Sequence, residues 1–320
     1  MSSSYGLIAD IGATNARFAL ADEHGFHDQQ VLACADYPGL AEAARAYLDG
    51  LGKDVRPTRA AVAIAGPVTG DYFEMTNHAW KFSQNETRVA LSLDRFTLMN
   101  DFRAIALAIP HLKKEDIVQV GGNQMPVPQG TIGVVGPGTG LGVASLFWDG
   151  MRYRPNSCEG GHVTMPAKTQ REIDLFRTLR YKYHHVSAES ACSGKGLVNI
   201  YNAIRVLDGD ETLPDRTPEQ IAQCAIQKTC KVCEEALDKM MGFLGTVAGN
   251  LAVTLGAGGG IYIAGGIPAK LGDYFLNSRF RAEFEAKGRM GAYLKPIPTY
   301  LITHPFTAFL GLQSVLHEDV

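Results

Sequence analysis

The amino-acid sequence predicts an α/β protein of two halves, each with a mixed β-sheet and helices packed on it. Three observations support this prediction. Predicted strands and helices alternate along most of the 320 residues, and the succession starts again near residue 131. The stretches DIGATNARFALAD and GPGTGLGVASLF, about 125 residues apart, share one layout of apolar strand, small-residue turn with threonine, and apolar strand. A duplicated βββαβα unit would produce this layout, with the two turns facing each other across a cleft.

The first half is expected to alternate strands and helices up to residue 109. A helix over 39–52 is predicted because its apolar residues recur at helical spacing and a glycine ends the pattern. The apolar stretch 59–67 is typical of a short buried strand and ends at Gly-Pro. The other elements expected here are two strands within 5–22, strands at 26–35 and 97–101, and helices at 86–94 and 102–109.

The second half begins with residues 131–150, which predict a strand, a glycine-rich turn and a second strand. Near the end of this half, IYIAGGI at 261–267 predicts a short strand that runs into a Gly-Gly turn and another helix. The other elements expected here are a strand at 151–157, helices at about 170–182, 193–207, 217–228 and 232–255, a late strand in PTYLITH, and a closing helix at about 307–317.

Composition restricts the class of protein. With 46% hydrophobic and 20% charged residues, the chain is typical of a soluble globular enzyme. A net charge of −3 gives no reason to expect nucleic acid or an anionic membrane as a partner, and no apolar run approaches the roughly 20 residues of a membrane span. MSSSYGLIADIG has no basic region and enters a predicted strand, so no signal peptide is expected. Six scattered cysteines indicate the cytoplasm.

Cys230 and Cys233 form a Cys-x-x-Cys pair, which could bind zinc or take part in redox chemistry. The pair lies in a long predicted helix, and no second such pair or histidine pair accompanies it. Cys224 adds a third thiol nearby, but a fourth zinc ligand is not evident. We therefore favour a structural role for this pair.

The stretch DIGATN at 10–15 predicts a strand that ends in a tight turn. Gly12 allows the backbone to turn and to approach a ligand closely. The tip offers backbone N–H groups, a hydroxyl and an amide, which suit phosphate, from Ala13, Thr14 and Asn15. Asp10 could hold a hydrated Mg²⁺ ion. A plain hairpin with an aspartate at its mouth explains the same stretch equally well.

The stretch GPGTGLG at 136–142 has four glycines in seven residues, more than an ordinary hairpin needs. Close approach of a polyphosphate is the natural explanation. The spacing is neither that of a P-loop nor that of a dinucleotide-binding turn. The later cluster GAGGG at 256–260 can be explained as a helix stop, whereas Gly265 and Gly266 open a helix and could lie against a nucleotide base.

Five further polar residues stand out. Asn100 and Asp101 lie where a predicted strand passes into a helix, and Glu159 and His162 surround two glycines. Glu189 precedes a helix predicted from residue 193 and could simply cap it. Each residue alone is more often a surface or capping group. Together they offer hydrogen-bond acceptors and donors suited to a polyhydroxylated ligand.

These motifs resemble those of bacterial-type glucokinases, in the superfamily of hexokinase, actin and the heat-shock chaperone ATPases. The matching stretches run in family order over nearly the whole chain: DIGATNARFAL, TNHAW, MNDF, GPGTGLGV, EGGHV, SAE, SGKGLVNIY and IAGGI. The sibling repressor–kinase family carries a cysteine-rich zinc motif after the Gly-His of its sugar site. Here Gly161-His162 is followed by VTMPAKTQREIDLF, which has no cysteine, so the zinc-containing family is not indicated.

The resemblance implies two ribonuclease-H-like (actin-like ATPase) domains around a central cleft: a small one of residues 1–111 plus 302–320 and a large one of residues 112–301. It implies a cytoplasmic homodimer that phosphorylates glucose on its 6-hydroxyl with ATP and Mg²⁺. The sugar would be held by Asn100, Asp101, Glu159, His162 and Glu189. The phosphates would be surrounded by Asp10, Gly12, Ala13, Thr14, Asn15, Gly138, Thr139 and Gly140. Asp10 would hold the magnesium through water, and Gly265 and Gly266 would lie beside the adenosine.

On this interpretation Asp101 is the general base. A carboxylate within hydrogen-bond reach of an alcohol can take its proton as the oxygen attacks the γ-phosphorus. Such a base typically accelerates the reaction by ~10²–10⁴-fold.

A kinase for another hexose or an amino sugar is an alternative, because the same acceptors suit several epimers. An ATP-operated switch of the actin or chaperone type is a further alternative, but it leaves Asn100, Glu159, His162 and Glu189 without a role.

Overall fold

A computed structural model describes residues 5–52, 55–75, 78–210 and 212–316 of the chain. Three sequence-based predictions extend outside the described residues: the N-terminal segment at 1–4, the first two residues of TNHAW, and residue 317 of the closing helix. The chain divides into two compact units. Unit 1 comprises Met1–Leu112 and His304–Val320, and unit 2 comprises Lys113–Thr303.

Unit 1 is built around one mixed sheet. Its strands are β1 (Gly6–Ile11), β2 (Asn15–Asp22), β3 (Gly25–Ala33), β4 (Arg59–Ile64), β5 (Tyr72–Glu74), β6 (Lys81–Ser83) and β7 (Arg95–Asn100). Its first three helices are α1 (Leu40–Gly50), α2 (Gln84–Ala90) and α3 (Asp101–Ala108). The main sheet has the order β3-β2-β1-β4-β7, in which β1, β4 and β7 run parallel. The separate β5–β6 hairpin was not predicted from the sequence.

Unit 2 has a six-stranded sheet and most of the helices. Its strands are β8 (Ile117–Gly121), β9 (Ile132–Pro137), β10 (Leu141–Trp148), β11 (Tyr153–Cys158), β12 (Ile261–Ile263) and β13 (Thr299–Ile302). Its helices are α4 (Gln170–Lys182), α5 (Gly194–Asp208), α6 (Pro218–Ile226), α7 (Lys231–Leu255), α8 (Gly266–Leu271), α9 (Asp273–Leu276), α10 (Phe280–Glu285) and α11 (Gly291–Leu294). The sheet has the order β11-β10-β9-β12-β13-β8.

The two sheets repeat one topology. In each, three antiparallel strands joined in chain order lie beside two further parallel strands: β1–β3 with β4 and β7 in unit 1, and β9–β11 with β12 and β13 in unit 2. Strand β8 is added only to the second sheet, antiparallel to β13. The predicted duplication of a βββαβα unit is therefore confirmed by the strand order.

Both faces of the first sheet are covered, which explains why its central strands are apolar at almost every position. On one face Tyr47 of α1 stacks on Phe18 of β2, with ring centroids 5.4 Å apart. On the other face lies the closing helix, α12 (Thr307–Leu316), which packs along α3. A β-carbon at Gly311 would lie 1.9 Å from the Ala104 carbonyl oxygen, so only glycine allows the two helices to approach this closely. Helix α12 thereby holds α3 and its first residue, Asp101.

Helix α7 forms the centre of the unit 2 core. Most of its 25 residues are buried, as in a helix surrounded by other elements. Its C-cap is Gly256, in the left-handed conformation, so the predicted helix stop is confirmed. Of the helices that the structure describes, none is both long enough and apolar enough to cross a bilayer.

Two glycines of α7 make a matched stability test. A β-carbon at Gly245 would lie 2.1 Å from the Phe280 carbonyl oxygen, whereas one at Gly242 would make an ordinary contact at 3.4 Å with Glu283. We expect Gly245→Ala to lower the free energy of unfolding by ~1–3 kcal/mol through overpacking. Gly242→Ala should be neutral or stabilise by up to about 1 kcal/mol, because alanine favours the helix. Urea denaturation of both variants measures the difference, and equal effects would contradict the close packing of α7 on α10.

Candidate active site

Asn100 and Asp101 lie at the junction of β7 and α3. Asn100 caps the helix: its Oδ1 accepts from the backbone N–H groups of Phe102 and Arg103, at 2.9 and 3.2 Å, and its Nδ2 donates to the Gly66 carbonyl at 3.2 Å. Asp101 is the first helical residue, so the prediction that the strand runs to 101 was wrong by one position. Its Oδ1 accepts from the Phe102 N–H at 2.9 Å. Because Asn100 caps α3, Asp101 has a fixed position at the start of the helix.

The turn between β1 and β2, here called the first turn, comprises residues 12–14. The Gly12 N–H donates to the Asn15 carbonyl at 2.9 Å and closes the turn. From behind, Cys34 donates its N–H to the Thr14 carbonyl at 2.9 Å and its Sγ–H to the Gly12 carbonyl at 3.4 Å. Thr14 and Asn15 are exposed and Ala13 is half-buried. The turn therefore presents its tip to solvent while its base is held.

Asp10 precedes the first turn and pairs with a cation on the facing strand. Arg17, its register partner in β2, donates Nη1 to Asp10 Oδ2 at 3.2 Å. Burial raises the pKa of the Asp10 carboxyl, and the nearby guanidinium opposes this shift. Across 5–52, 55–75, 78–210 and 212–316, no three His, Cys, Asp or Glu side chains are clustered to hold a metal. A single carboxylate such as Asp10 fits a Mg²⁺ ion that keeps several of its waters.

The parallel strands bring the residues of unit 1 to one edge of the sheet. Ile11, Ile64 and Asn100, on neighbouring strands, are in register. Neighbouring strands lie ~4.8 Å apart, so Asn100 is about 10 Å across the sheet from Ile11. Asp101 and the first turn therefore share the carboxyl edge of the parallel strands, where open α/β sheets bind ligands.

The turn between β9 and β10, here called the second turn, comprises residues 138–140. The Gly138 N–H donates to the Gly140 carbonyl at 2.8 Å, and the Gly138 carbonyl accepts from the Gly194 N–H at 2.9 Å. Just beyond the turn, the Leu141 N–H donates to Glu189 Oε2 at 2.9 Å. Thr139, at the tip, is exposed. Residues 189–194 thus hold the second turn from both ends.

Glu189 connects the second turn to the segment that contains Glu159, Gly161 and His162. Its backbone N–H donates to the Gly161 carbonyl at 2.8 Å while its carboxylate accepts from Leu141. The interpretation that Glu189 caps the following helix was wrong. Ser193 caps α5, since its Oγ accepts from the Gly196 N–H at 2.9 Å.

Glu159 and His162 flank a short 3₁₀ turn at Gly160–His162. Their side chains are 61% and 60% exposed, with 4.0 Å between Glu159 Oε2 and His162 Nε2. A β-carbon at Gly161 would lie 2.1 Å from the Leu141 carbonyl oxygen, so this turn is in direct backbone contact with the second turn. Unit 2 therefore brings Glu159, His162 and Glu189 to the same place as the second turn.

Gly265 and Gly266 lie at the base of the second turn. Gly265 has a φ of +85°, and a β-carbon there would lie 2.4 Å from the Pro137 carbonyl oxygen at the end of β9. Gly266 begins α8, and a β-carbon there would have open space around it. The expected Gly-Gly turn into a helix is confirmed.

Sequence reasoning missed several supporting residues. Gly66 accepts from the Asn100 amide, Cys34 holds the first turn, and Leu141 links to Glu189 through its backbone. The Gly-Pro pair at 66–67 was visible as a strand end and could have been proposed as part of the site. The contribution of Leu141 is a main-chain N–H, which no side-chain motif reveals.

Comparison with known proteins places the chain in a family. The family model described as Glucokinase matches residues 7–319. The chain is similar to the glucokinase of Paramagnetospirillum magneticum, with 46% identity over 314 residues, 98% of this chain and 97% of that protein. It is also similar to the glucokinase of Aromatoleum aromaticum, with 46% identity over 315 residues, 97% and 94% of the two chains.

A solved structure, a glucokinase from an Antarctic psychrotroph, matches with a TM-score of 0.88 and 35% identity over 99% of both chains. The prediction of an α/β fold of the ribonuclease-H-like (actin-like ATPase) type is confirmed by this likeness together with the duplicated topology. On sequence, fold and family model together, the chain belongs to the glucokinase family.

Proposed function

We propose that this protein phosphorylates D-glucose on its 6-hydroxyl with ATP and Mg²⁺, giving glucose 6-phosphate, with Asp101 as the general base. The names of the relatives support the reaction. The observation that carries the role of Asp101 is its fixed place at the start of α3, on the sheet edge that also bears the first turn.

Phosphoryl transfer depends mostly on how the protein positions the reacting groups. The alcohol oxygen must lie in line with the γ-phosphorus, and Asp101 takes its proton as the new bond forms. A base on a mobile loop would lose this alignment, whereas Asp101 follows a capped helix start that α12 holds in place. Asn100 Oδ1 is engaged by the cap and one hydrogen of Nδ2 by the Gly66 carbonyl, so the second amide hydrogen is the group that Asn100 can offer to a neighbouring hydroxyl.

Glu159, His162 and Glu189 would hold the remaining hydroxyl groups of the sugar. Glu159 and His162 are more than half exposed, as ligand-binding groups must be before the ligand arrives. Glu189 differs, because Oε2 already accepts from the Leu141 N–H. A sugar held by such hydrogen bonds is distinguished sharply from analogues that lack one hydroxyl, since an unmatched polar group is costly.

The two turns would bind the phosphates. Backbone N–H groups at the tips of the two turns, those of Ala13 and Thr14 and of Thr139 and Gly140, would donate to phosphate oxygens. The N–H groups of Gly12 and Gly138 close the turns, so these glycines would contribute close approach of the backbone. Gly265 and Gly266 would lie beside the adenosine. Asp10 would hold Mg²⁺ through water, and the bound ion would neutralise charge on the phosphates. The side chain of Asp10 lies beside the first turn and forms an ion pair with Arg17.

The family resemblance supports further features of the proposal. The protein would act as a cytoplasmic homodimer in glycolysis. Its domains would be the small one of residues 1–111 plus 302–320 and the large one of residues 112–301.

Replacement of Asp101 tests the function directly. In a coupled ADP-release assay with Mg-ATP and a panel of hexoses, Asp101→Asn should lower kcat on glucose by ~10²–10⁴-fold, because the amide cannot accept the proton. Asp49→Asn, an exposed aspartate in the same unit, is the control and should retain activity. ADP release that is independent of sugar and equal in both proteins would contradict the proposal. Strong activity on another sugar would keep the base and change the substrate.

Alanine replacements of Glu159 and Glu189 should differ in their effects on the KM values for glucose and ATP. Loss of a hydrogen bond to a charged group costs ~1.5–3 kcal/mol, so Ala at either position should raise KM for glucose by about tenfold or more. Only Glu189→Ala should also raise KM for ATP, by about fivefold, because it releases the Leu141 N–H beside the second turn. Steady-state kinetics with each substrate varied in turn measures both constants. An unchanged KM for ATP in Glu189→Ala would contradict the link between the two segments.

We expect the Asp10 carboxylate to destabilise the ligand-free protein while being required for activity. Burial raises its folded-state pKa above the unfolded value, so folding favours the neutral carboxyl and stability falls as the pH rises through the folded pKa. At pH 7 Asp10→Asn should therefore raise the melting midpoint of the ligand-free protein, while Mg-ATP-dependent activity is lost.

Near pH 3 the Asp10 carboxyl is largely protonated in both states, so the gain in melting midpoint should disappear. Thermal unfolding followed by circular dichroism at the two pH values, with Asp49→Asn as control, measures this. A melting midpoint lowered at neutral pH would show that the Arg17 pair outweighs the burial of the carboxylate.

A further inference from the structure

Three of the six cysteines lie together where α6 passes into α7, in a part of unit 2 that the proposed reaction does not use. Cys224 is in the last turn of α6, Cys230 is the N-cap of α7, and Cys233 is in the first turn of α7. Cys224 and Cys230 are half-buried, whereas Cys233 is buried. Arg216 donates Nη1 to Cys224 Sγ at 3.0 Å, so the sulfur of Cys224 is engaged with a cation.

Cys230 and Cys233 have the geometry of a pair that can form a disulfide. They lie three residues apart, at the N-cap and in the first turn of α7, so their side chains are neighbours on the helix. Residues three apart at the start of an α-helix have Cα atoms about 5 Å apart, inside the range of roughly 4.4–6.8 Å that a disulfide requires. The bond therefore needs no rearrangement of the backbone.

The surroundings of the two thiols decide which of them an oxidant reaches. Burial, together with the neighbouring Cys230 thiol, raises the pKa of Cys233 to about 12, so Cys233 is a neutral thiol that is shielded from external oxidants. Cys230 is the accessible member and meets an oxidant first. Within the described ranges no group of three or more Cys, His, Asp or Glu side chains is arranged to hold a metal.

We propose that Cys230 and Cys233 form an oxidation site, which a small hydroperoxide converts to a disulfide within the first turn of α7. In the first step the O–O bond of the hydroperoxide breaks, one oxygen is transferred to Cys230 as a sulfenic acid, and the alcohol (water, for hydrogen peroxide) leaves. In the second step the Cys233 sulfur attacks the Cys230 sulfur, the S–S bond forms and the S–O bond breaks, and the Cys233 proton joins the departing hydroxyl, which leaves as water. Two thiols lose two electrons, and the hydroperoxide gains them.

Trypsin separates the three cysteines, which makes the pairing directly readable. Cleavage after Arg216, Lys228, Lys231 and Lys239 places Cys224 in residues 217–228, Cys230 in 229–231 and Cys233 in 232–239. The full-length protein is reduced, treated with hydrogen peroxide near equimolar to protein, blocked with N-ethylmaleimide and digested without reductant. The Cys158→Ser background removes the exposed thiol Cys158. Mass spectrometry should show 229–231 joined to 232–239, two hydrogen atoms lighter than the separate peptides and released by dithiothreitol.

Single variants show whether Cys230 forms its disulfide with Cys233 or with Cys224. Cys224→Ser should form the same linked peptides as the parent, whereas Cys230→Ser should abolish them. Cys233→Ala should leave a Cys230 sulfenic acid that dimedone traps, and circular dichroism checks that this buried replacement still folds. Linkage of 217–228 to 229–231 would overturn the assigned pair. Conversion of Cys230 to the sulfinic acid in the parent protein, without any linked peptide, would overturn the proposal.

Discussion

Unit 2 depends on backbone segments that touch directly at the second turn. At Gly161 and Gly265 a β-carbon would lie 2.1 and 2.4 Å from carbonyl oxygens at the two ends of this turn. Interiors are packed as densely as organic crystals, so a contact of this kind leaves no room for adjustment. The 3₁₀ turn with Glu159 and His162, the start of α8 and the second turn therefore keep fixed positions relative to one another. The glycines serve mainly to let these three segments meet.

The two units use one sheet topology but present polar groups in different ways. In unit 1 the polar residues follow the ends of parallel strands, and Asp101 is rigid because a capped helix begins there. In unit 2 they lie on irregular segments, which are joined because Glu189 donates its N–H to the Gly161 carbonyl and accepts from the Leu141 N–H just beyond the second turn. A base needs accurate alignment with the attacking oxygen, and a set of hydroxyl-binding groups needs a backbone that is held from behind. The division suits the proposed roles of the two sets.

Much of the fold could be predicted from the sequence, because its signals are local. Hydrophobic periodicity and glycine stops located most strands and the long helices, and the repeated strand–turn–strand layout revealed the duplicated plan. The β5–β6 hairpin was missed because its strands have only three residues each and lack the continuous apolar run that revealed β12, which is equally short. In the site, the side chains of Asn100 and Glu189 were found, but their contacts with Gly66 and Leu141 were not. Those contacts join main-chain groups far apart in sequence, and local residue patterns carry no information about them.

The chain position of α12 has a consequence for biosynthesis. The face of the first sheet that α12 covers, with Ile8 and Met99, cannot be completed until α12 has been synthesised. Unit 2, residues 113–303, is continuous and is synthesised in between. At ~5–20 residues per second, the ribosome takes about 10–40 s to add it. During that interval the nascent chain exposes an apolar sheet surface, which suits chaperones that shield such surfaces until α12 has been synthesised.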